Sequence, residues 1–140
     1  MRNVKRNKES VYIAILILYI LLIIIMTLLI RNSIGKNFMH TDWFWGYKSS
    51  NPKILYGDNI YNILLFLPVG CLIALIAPKH KLLAATLVGL FLSETIECSQ
   101  LIWHRGIFDV DDLFNNTVGA LLGGLVVVLV LWIKNKRNEE

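Results

Sequence analysis

Residues 11–30, VYIAILILYILLIIIMTLLI, are twenty in succession without a charge. Wound as a helix at about 1.5 Å per residue they extend about 30 Å, the thickness of a bilayer's hydrocarbon core. Three more apolar blocks follow, at about 60–77, 82–103 and 113–133. Four such blocks in 140 residues leave too little polar chain to cover them in water. In lipid each can satisfy its own backbone as a helix. The expected fold class is therefore all-α: a polytopic membrane protein, a four-helix transmembrane bundle forming one domain over 1–140. The first block is longer than the apolar region of a signal peptide, and no small-residue cleavage site follows it, so it reads as a retained helix.

The net charge of +4 raises nucleic acid as a partner, but no basic helix or aromatic platform accompanies it. The Lys and Arg residues lie between and outside the apolar blocks, where membrane topology accounts for them. Nine of them (Arg2, Lys5, Arg6, Lys8, Lys79, Lys81, Lys134, Lys136 and Arg137) fall on one side of a four-helix arrangement. Arg31, Lys36, Lys48, Lys53 and Arg105, five in all, fall on the other. The positive-inside rule places both termini in the cytoplasm of a multi-pass protein of the cell membrane. Cys71 and Cys98, inside apolar blocks, read as free thiols.

Within this apolar chain the stretch ETIECSQLIWHRGIFDVDDLFNN, 94–116, carries five carboxylates. Two of them, Glu94 and Glu97, sit inside the third block. On insertion scales an acidic residue at mid-membrane costs roughly 3 kcal/mol, and each Leu, Ile, Phe or Val returns roughly 0.5. The ten such apolar residues of block three barely offset two glutamates, which must find partners or water. Glu94 and Glu97 are three apart, so they are expected to share a helix face with Gln100 and to share a proton or a cation. With the termini inside, Asn59 and Asn62 at the start of block two reach the outer leaflet boundary. So do Glu97 and Gln100, the link with Arg105, Asp109, Asp111 and Asp112, and Asn115 and Asn116 in the first turn of block four. The expected binding cluster is Asn62, Glu97, Gln100, Arg105, Asp109, Asp112 and Asn116, with Glu94 and Asp111 secondary. A network that only locks the helices together competes with this reading.

Other features read as architecture. Pro68 frees the carbonyl of Leu64, a tolerated interruption of a membrane helix. Gly119 and Gly123 form a GxxxG that permits close packing, within the chain or between copies in a homo-oligomer. Trp43, Phe44, Trp45 and Tyr47 are expected to rest at headgroup level on the outer surface, a reading favoured over a ligand-stacking site. His40, His80 and His104 are scattered, and DVDD lacks the spacing of a calcium loop.

NILLFLPVG (62–70), IECSQ (96–100) and RGIFDVDDLFNNTVGALLG (105–123), in that order, resemble the VanZ-like family of bacterial membrane proteins. The resemblance covers about 58–124. It carries the family's polar positions onto Asn62, Glu97, Gln100, Arg105, Asp109, Asp112 and Asn116, and its structural ones onto Pro68, Gly70 and Gly119. Tyr61 departs from the pattern, where the family often has glycine, and Glu94 is not carried over. The resemblance implies an integral membrane protein linked to low-level resistance to teicoplanin-type glycopeptides.

Three functions compete. The first is a non-enzymatic protein whose outer-leaflet cluster binds a lipoglycopeptide or a lipid-linked cell-wall precursor. The second is a cation-dependent enzyme acting on a lipid-linked phosphate. There Glu97, Asp109, Asp111 and Asp112 would hold a divalent ion and Arg105 the phosphate. The third is a proton-coupled transporter with Glu94 and Glu97 as relay. Ser93 and Ser99 lack an evident base, and no duplicated half is visible. The first reading ranks highest, with the lipid bilayer as partner and no resident cofactor.

Overall fold

The computed structural model describes residues 2–29, 39–48, 51 and 57–139. Residue 30, at the end of the first apolar block, and the loop residues Arg31, Lys36 and Lys53 lie outside these. The helices are α1 (Arg2–Ile24), α2 (Asn59–Ile76), α3 (Lys81–Ile102) and α4 (Val110–Arg137). A π-helical turn, Ile25–Leu29, prolongs α1, and a short 3-10 turn covers Gly46–Lys48. All four helices are long and apolar enough to cross a membrane. The expected all-α membrane bundle is the observed one, and the protein is multi-pass.

Two helix ends differ from expectation, each for a local reason. α4 begins three residues early because Asp109 caps it, accepting from the Asp111 N–H at 2.9 Å. Asp111 and Asp112 thereby occupy the first turn, where the helix dipole favours negative charge, and Asn115 and Asn116 move on to the second. At its other end α4 continues through Lys134, Lys136 and Arg137, whose charges suit a helix C-terminus. In the α2–α3 turn, Lys81 Nζ donates to the carbonyls of Ala74 and Ala77 at 2.7 and 2.5 Å, closing α2.

α4 packs most extensively on α2 and α3, through small residues. A Cβ added to Gly70 would fall on the Ala120 carbonyl, one on Gly119 on the Ile63 carbonyl, and one on Gly123 on the Leu67 carbonyl. On the opposite side of α4, a Cβ on Gly89 would strike the Ala120 methyl. Ala120 is thus clasped between α2 and α3, and the GxxxG face is used inside the chain rather than offered to a second copy. Pro68 is accommodated within α2, which runs unbroken to Ile76.

Phe66, Val69, Ile73, Ala85, Ile96 and Ala120 form the core with Ile23 of α1. α1 itself is peripheral: Ile15, Ile17, Leu18, Leu21 and Leu22 are exposed, which a surface in contact with lipid tolerates and one in water does not. It is tied to α2 by Tyr19, whose hydroxyl donates to the Leu65 carbonyl at 3.0 Å.

Candidate functional site

At the end of the bundle where α2 and α4 begin and α3 ends lies a cavity of about 400 Å³. Its polar wall includes Asn59, Asn62, Glu97, Gln100, Asp109, Asp111, Asp112 and Asn116, and its apolar wall Ile23, Met26, Leu65, Phe66, Ile96 and Ile107. Trp45 and Gly46 also line it, from a segment far away in sequence.

The α4 N-terminus organises the polar side. The Asp109 N–H donates to Glu97 Oε2 at 3.0 Å, joining the end of α3 to the cap of α4. Asp109 Oδ2 accepts from the Trp45 indole at 2.8 Å, while Asp111 accepts from the backbone N–H of Phe44 at 2.6 Å and of Gly46 at 2.9 Å. Asp112 Oδ1 accepts from Asn62 Nδ2 at 2.5 Å. Deeper in, Asn115 Nδ2 donates to Asn59 Oδ1 and Asn116 Nδ2 to Ser93 Oγ, both at 2.9 Å. Gln100 is buried beside Gly106, at which any side chain would collide with the Gln100 amide. Each of α2, α3 and α4 therefore contributes buried polar groups to hydrogen bonds that cross between elements at this end of the bundle.

The aromatic segment does more than rest at the surface. Its backbone folds over the cavity, and a two-residue parallel pairing sets Met39 against Phe108 and His40 against Asp109. Phe44 takes φ 61°, a conformation uncommon for a bulky residue. It is held by the Asp111 bond and by edge-on ring contacts with Phe114 and Tyr47. The Tyr47 hydroxyl donates to Asn115 Oδ1. Burial, and secondly the Asp111 carboxylate, raise the Tyr47 pKa above its ordinary 10.0, against a smaller lowering by the Asn115 bond, so the phenol remains a donor at neutral pH.

Six of the seven expected binding residues meet here: Asn62, Glu97, Gln100, Asp109, Asp112 and Asn116. Arg105 does not line the cavity; its side chain is half-buried, and its backbone N–H donates to the Gln100 carbonyl at 2.9 Å. Glu94 is exposed and does not line the cavity: it lies about 60° around the helix from Glu97, while the buried stripe continues from Glu97 in the other direction, through Ser93, Gln100 and Ile96. The expected Glu94–Glu97 pair is therefore not formed. Asp111, expected as secondary, is buried and central. Nor do the four carboxylates converge on one point. Among the described residues no group of three or more His, Cys, Asp or Glu side chains could hold a metal ion. Trp45, Gly46 and Tyr47 were not expected in the site; the signal available was a glycine among aromatics, which marks a turn with accessible backbone N–H groups.

A model of the VanZ/LLP1 family matches residues 11–132. The chain belongs to that family. The match takes in α1 and the aromatic segment as well as the motif region, so the cavity lies wholly within the VanZ/LLP1 portion. Neither the curated proteins nor the solved structures contain a match.

Proposed function

We propose that this VanZ/LLP1 protein is a non-enzymatic binding protein of the outer leaflet, holding an amphiphile of the teicoplanin type by its polar head. The observation that carries this reading is a polar, hydrogen-bonded cavity at one end of otherwise apolar helices, where burial of ionisable groups is costly. Outward placement is supported by the basic residues of the α2–α3 turn and the α4 C-terminus, which cluster at the opposite end. Support for binding over phosphate chemistry comes from Arg105, which stays out of the cavity, and from carboxylates that do not gather around one ion. An acyl-bearing drug concentrates at this depth, since each buried CH₂ contributes roughly 0.8 kcal/mol to anchoring.

Expression in a susceptible Gram-positive host is expected to raise tolerance to teicoplanin-like drugs more than to vancomycin, which lacks the acyl tail. Glu97→Gln should remove the effect while protein levels hold. Growth inhibition with wild type, variant and empty vector measures this, and equal tolerance to both drugs would point to altered wall chemistry and the enzyme reading. Orientation has its own measurement. A single cysteine at Trp103, in a background without Cys71 and Cys98, should react with an impermeant thiol reagent on intact cells, and one at His80 should not. The reverse pattern would put the cavity in the cytoplasm.

A further inference from the structure

Asn116 is 4% exposed and lines the cavity. Its Nδ2 is turned to Ser93, and its Oδ1 is the one buried side-chain nitrogen or oxygen among the described residues without a hydrogen-bond partner. A buried acceptor left unmatched costs about 1–3 kcal/mol. Because Asn116 lines the cavity, a donor on the cavity's occupant can satisfy it.

The wall defines that donor. Five carboxylates line the cavity (Asp58, Glu97, Asp109, Asp111 and Asp112), and no Lys, Arg or His among the described residues does. An anionic head, such as a phosphate, would meet like charge along the polar wall. A cation is favoured, but the carboxylates are too dispersed to gather around a metal ion. A primary ammonium offers three donors and no acceptor, which suits a wall of oxygens, and a carboxylate has about four lone-pair sites to share. At roughly 30 Å³ per water-sized group, the volume admits on the order of a dozen groups, the head of an amphiphile rather than a macromolecule. The mouth has a position too. Met26 and Tyr61 line the cavity yet are 47% and 54% exposed, so it opens between the end of α1 and the start of α2, beside the apolar Leu65 and Phe66.

We propose that the cavity is a site for a primary ammonium on an apolar chain: Asn116 Oδ1 and the flanking carboxylates take the ammonium, and the chain leaves between Met26 and Tyr61. This rests on the binding reading above and narrows its ligand. The same chemistry could be presented by an amine-bearing lipoglycopeptide or by an aminoacylated phospholipid head.

The experiment uses the full chain in phosphatidylcholine nanodiscs, with Trp43, Trp103 and Trp132, all exposed, changed to Phe. Trp45 in the cavity wall then reports quenching by a long-chain 2-alkenylamine that carries a vinylic bromine on its third carbon, next to the head, compared with the alcohol and the phosphate of the same chain. Saturable quenching is expected from the amine, at least about tenfold weaker for the alcohol and absent for the phosphate. Asn116→Leu should weaken the amine at least about tenfold, and Asn116→Asp, which keeps an acceptor, should retain it. Equal quenching by all three probes reports partition into lipid alone and overturns the proposal, as does preference for the phosphate. Displacement of the amine by an aminoacylated phospholipid assigns the site to a membrane lipid, and displacement by a teicoplanin-type drug assigns it to the drug. Displacement by neither overturns the ammonium assignment. Amine binding in discs without drug tolerance in cells would sink the resistance reading alone. Tolerance lost in Glu97→Gln cells, with no amine selectivity in discs, would sink the ammonium site alone.

Discussion

Gly119→Leu is expected to leave almost no folded protein in the membrane. The first atom of any side chain at this position lands on the backbone carbonyl of Ile63, which cannot move aside as a flexible side chain could. α4 must then part from α2, and with it go the contacts that seat Asp112 opposite Asn62 and Asn115 opposite Asn59. A loss of about 4 kcal/mol or more falls in the range reserved for such backbone collisions. Gly119→Ala should be nearly as damaging, because the clash begins at Cβ. Leu122→Ala on the exposed side of the same helix should change little. Detergent extraction followed by size-exclusion chromatography compares the three, and a monodisperse Gly119→Leu peak at wild-type yield would refute the packing described for α2 and α4.

Asp111→Ala should release the aromatic turn while the helices stay assembled. Two backbone N–H groups, of Phe44 and Gly46, lose their acceptor at once. Each bond to a charged group contributes about 1.5–3 kcal/mol, so the turn loses roughly 3–6 kcal/mol of local support. Phe44, held at φ 61°, has every reason to relax once its N–H is freed. Hydrogen exchange at 42–48 should accelerate at least about a hundredfold, and Trp45 emission should shift to the red. Glu94→Gln, on the exposed face, should leave both unchanged. Protection that persists at 42–48 in Asp111→Ala would mean that other contacts hold the turn.

The contrast between Asp111 and Glu94 shows what the chain discloses before it folds. Four long apolar blocks admit a membrane bundle and little else, and the small residues of α4 mark its close-packed face. The convergence of Asn62, Glu97, Gln100, Asp109, Asp112 and Asn116 was legible because each lies near a helix end on the same side. Rotation about the helix axis was less so. Depth alone treats Glu94 and Glu97 alike, yet the narrow buried stripe of α3 takes one and leaves the other exposed. The role of Asp111 depends on Phe44 and Gly46, more than sixty positions earlier, and no spacing rule connects a carboxylate to distant backbone N–H groups. The same holds for Trp45, whose indole has a partner only once the chain has crossed the membrane and returned. Arg105 shows the converse error, since proximity in sequence to acidic residues does not place a guanidinium in their cavity.

The clasp of Ala120 between Gly70 and Gly89 also decides how many molecules such a protein can manage. Directly beneath the cavity the three helices meet nearly backbone to backbone, with Phe66 and Val69 sealing the remaining space. A cup with a closed floor returns its occupant through the opening by which it came. On the binding reading proposed above, each chain would withdraw one guest at a time and pass none through the bundle. Protection on that reading is a titration: it should grow in proportion to the number of chains in the membrane and fail abruptly once guests outnumber them.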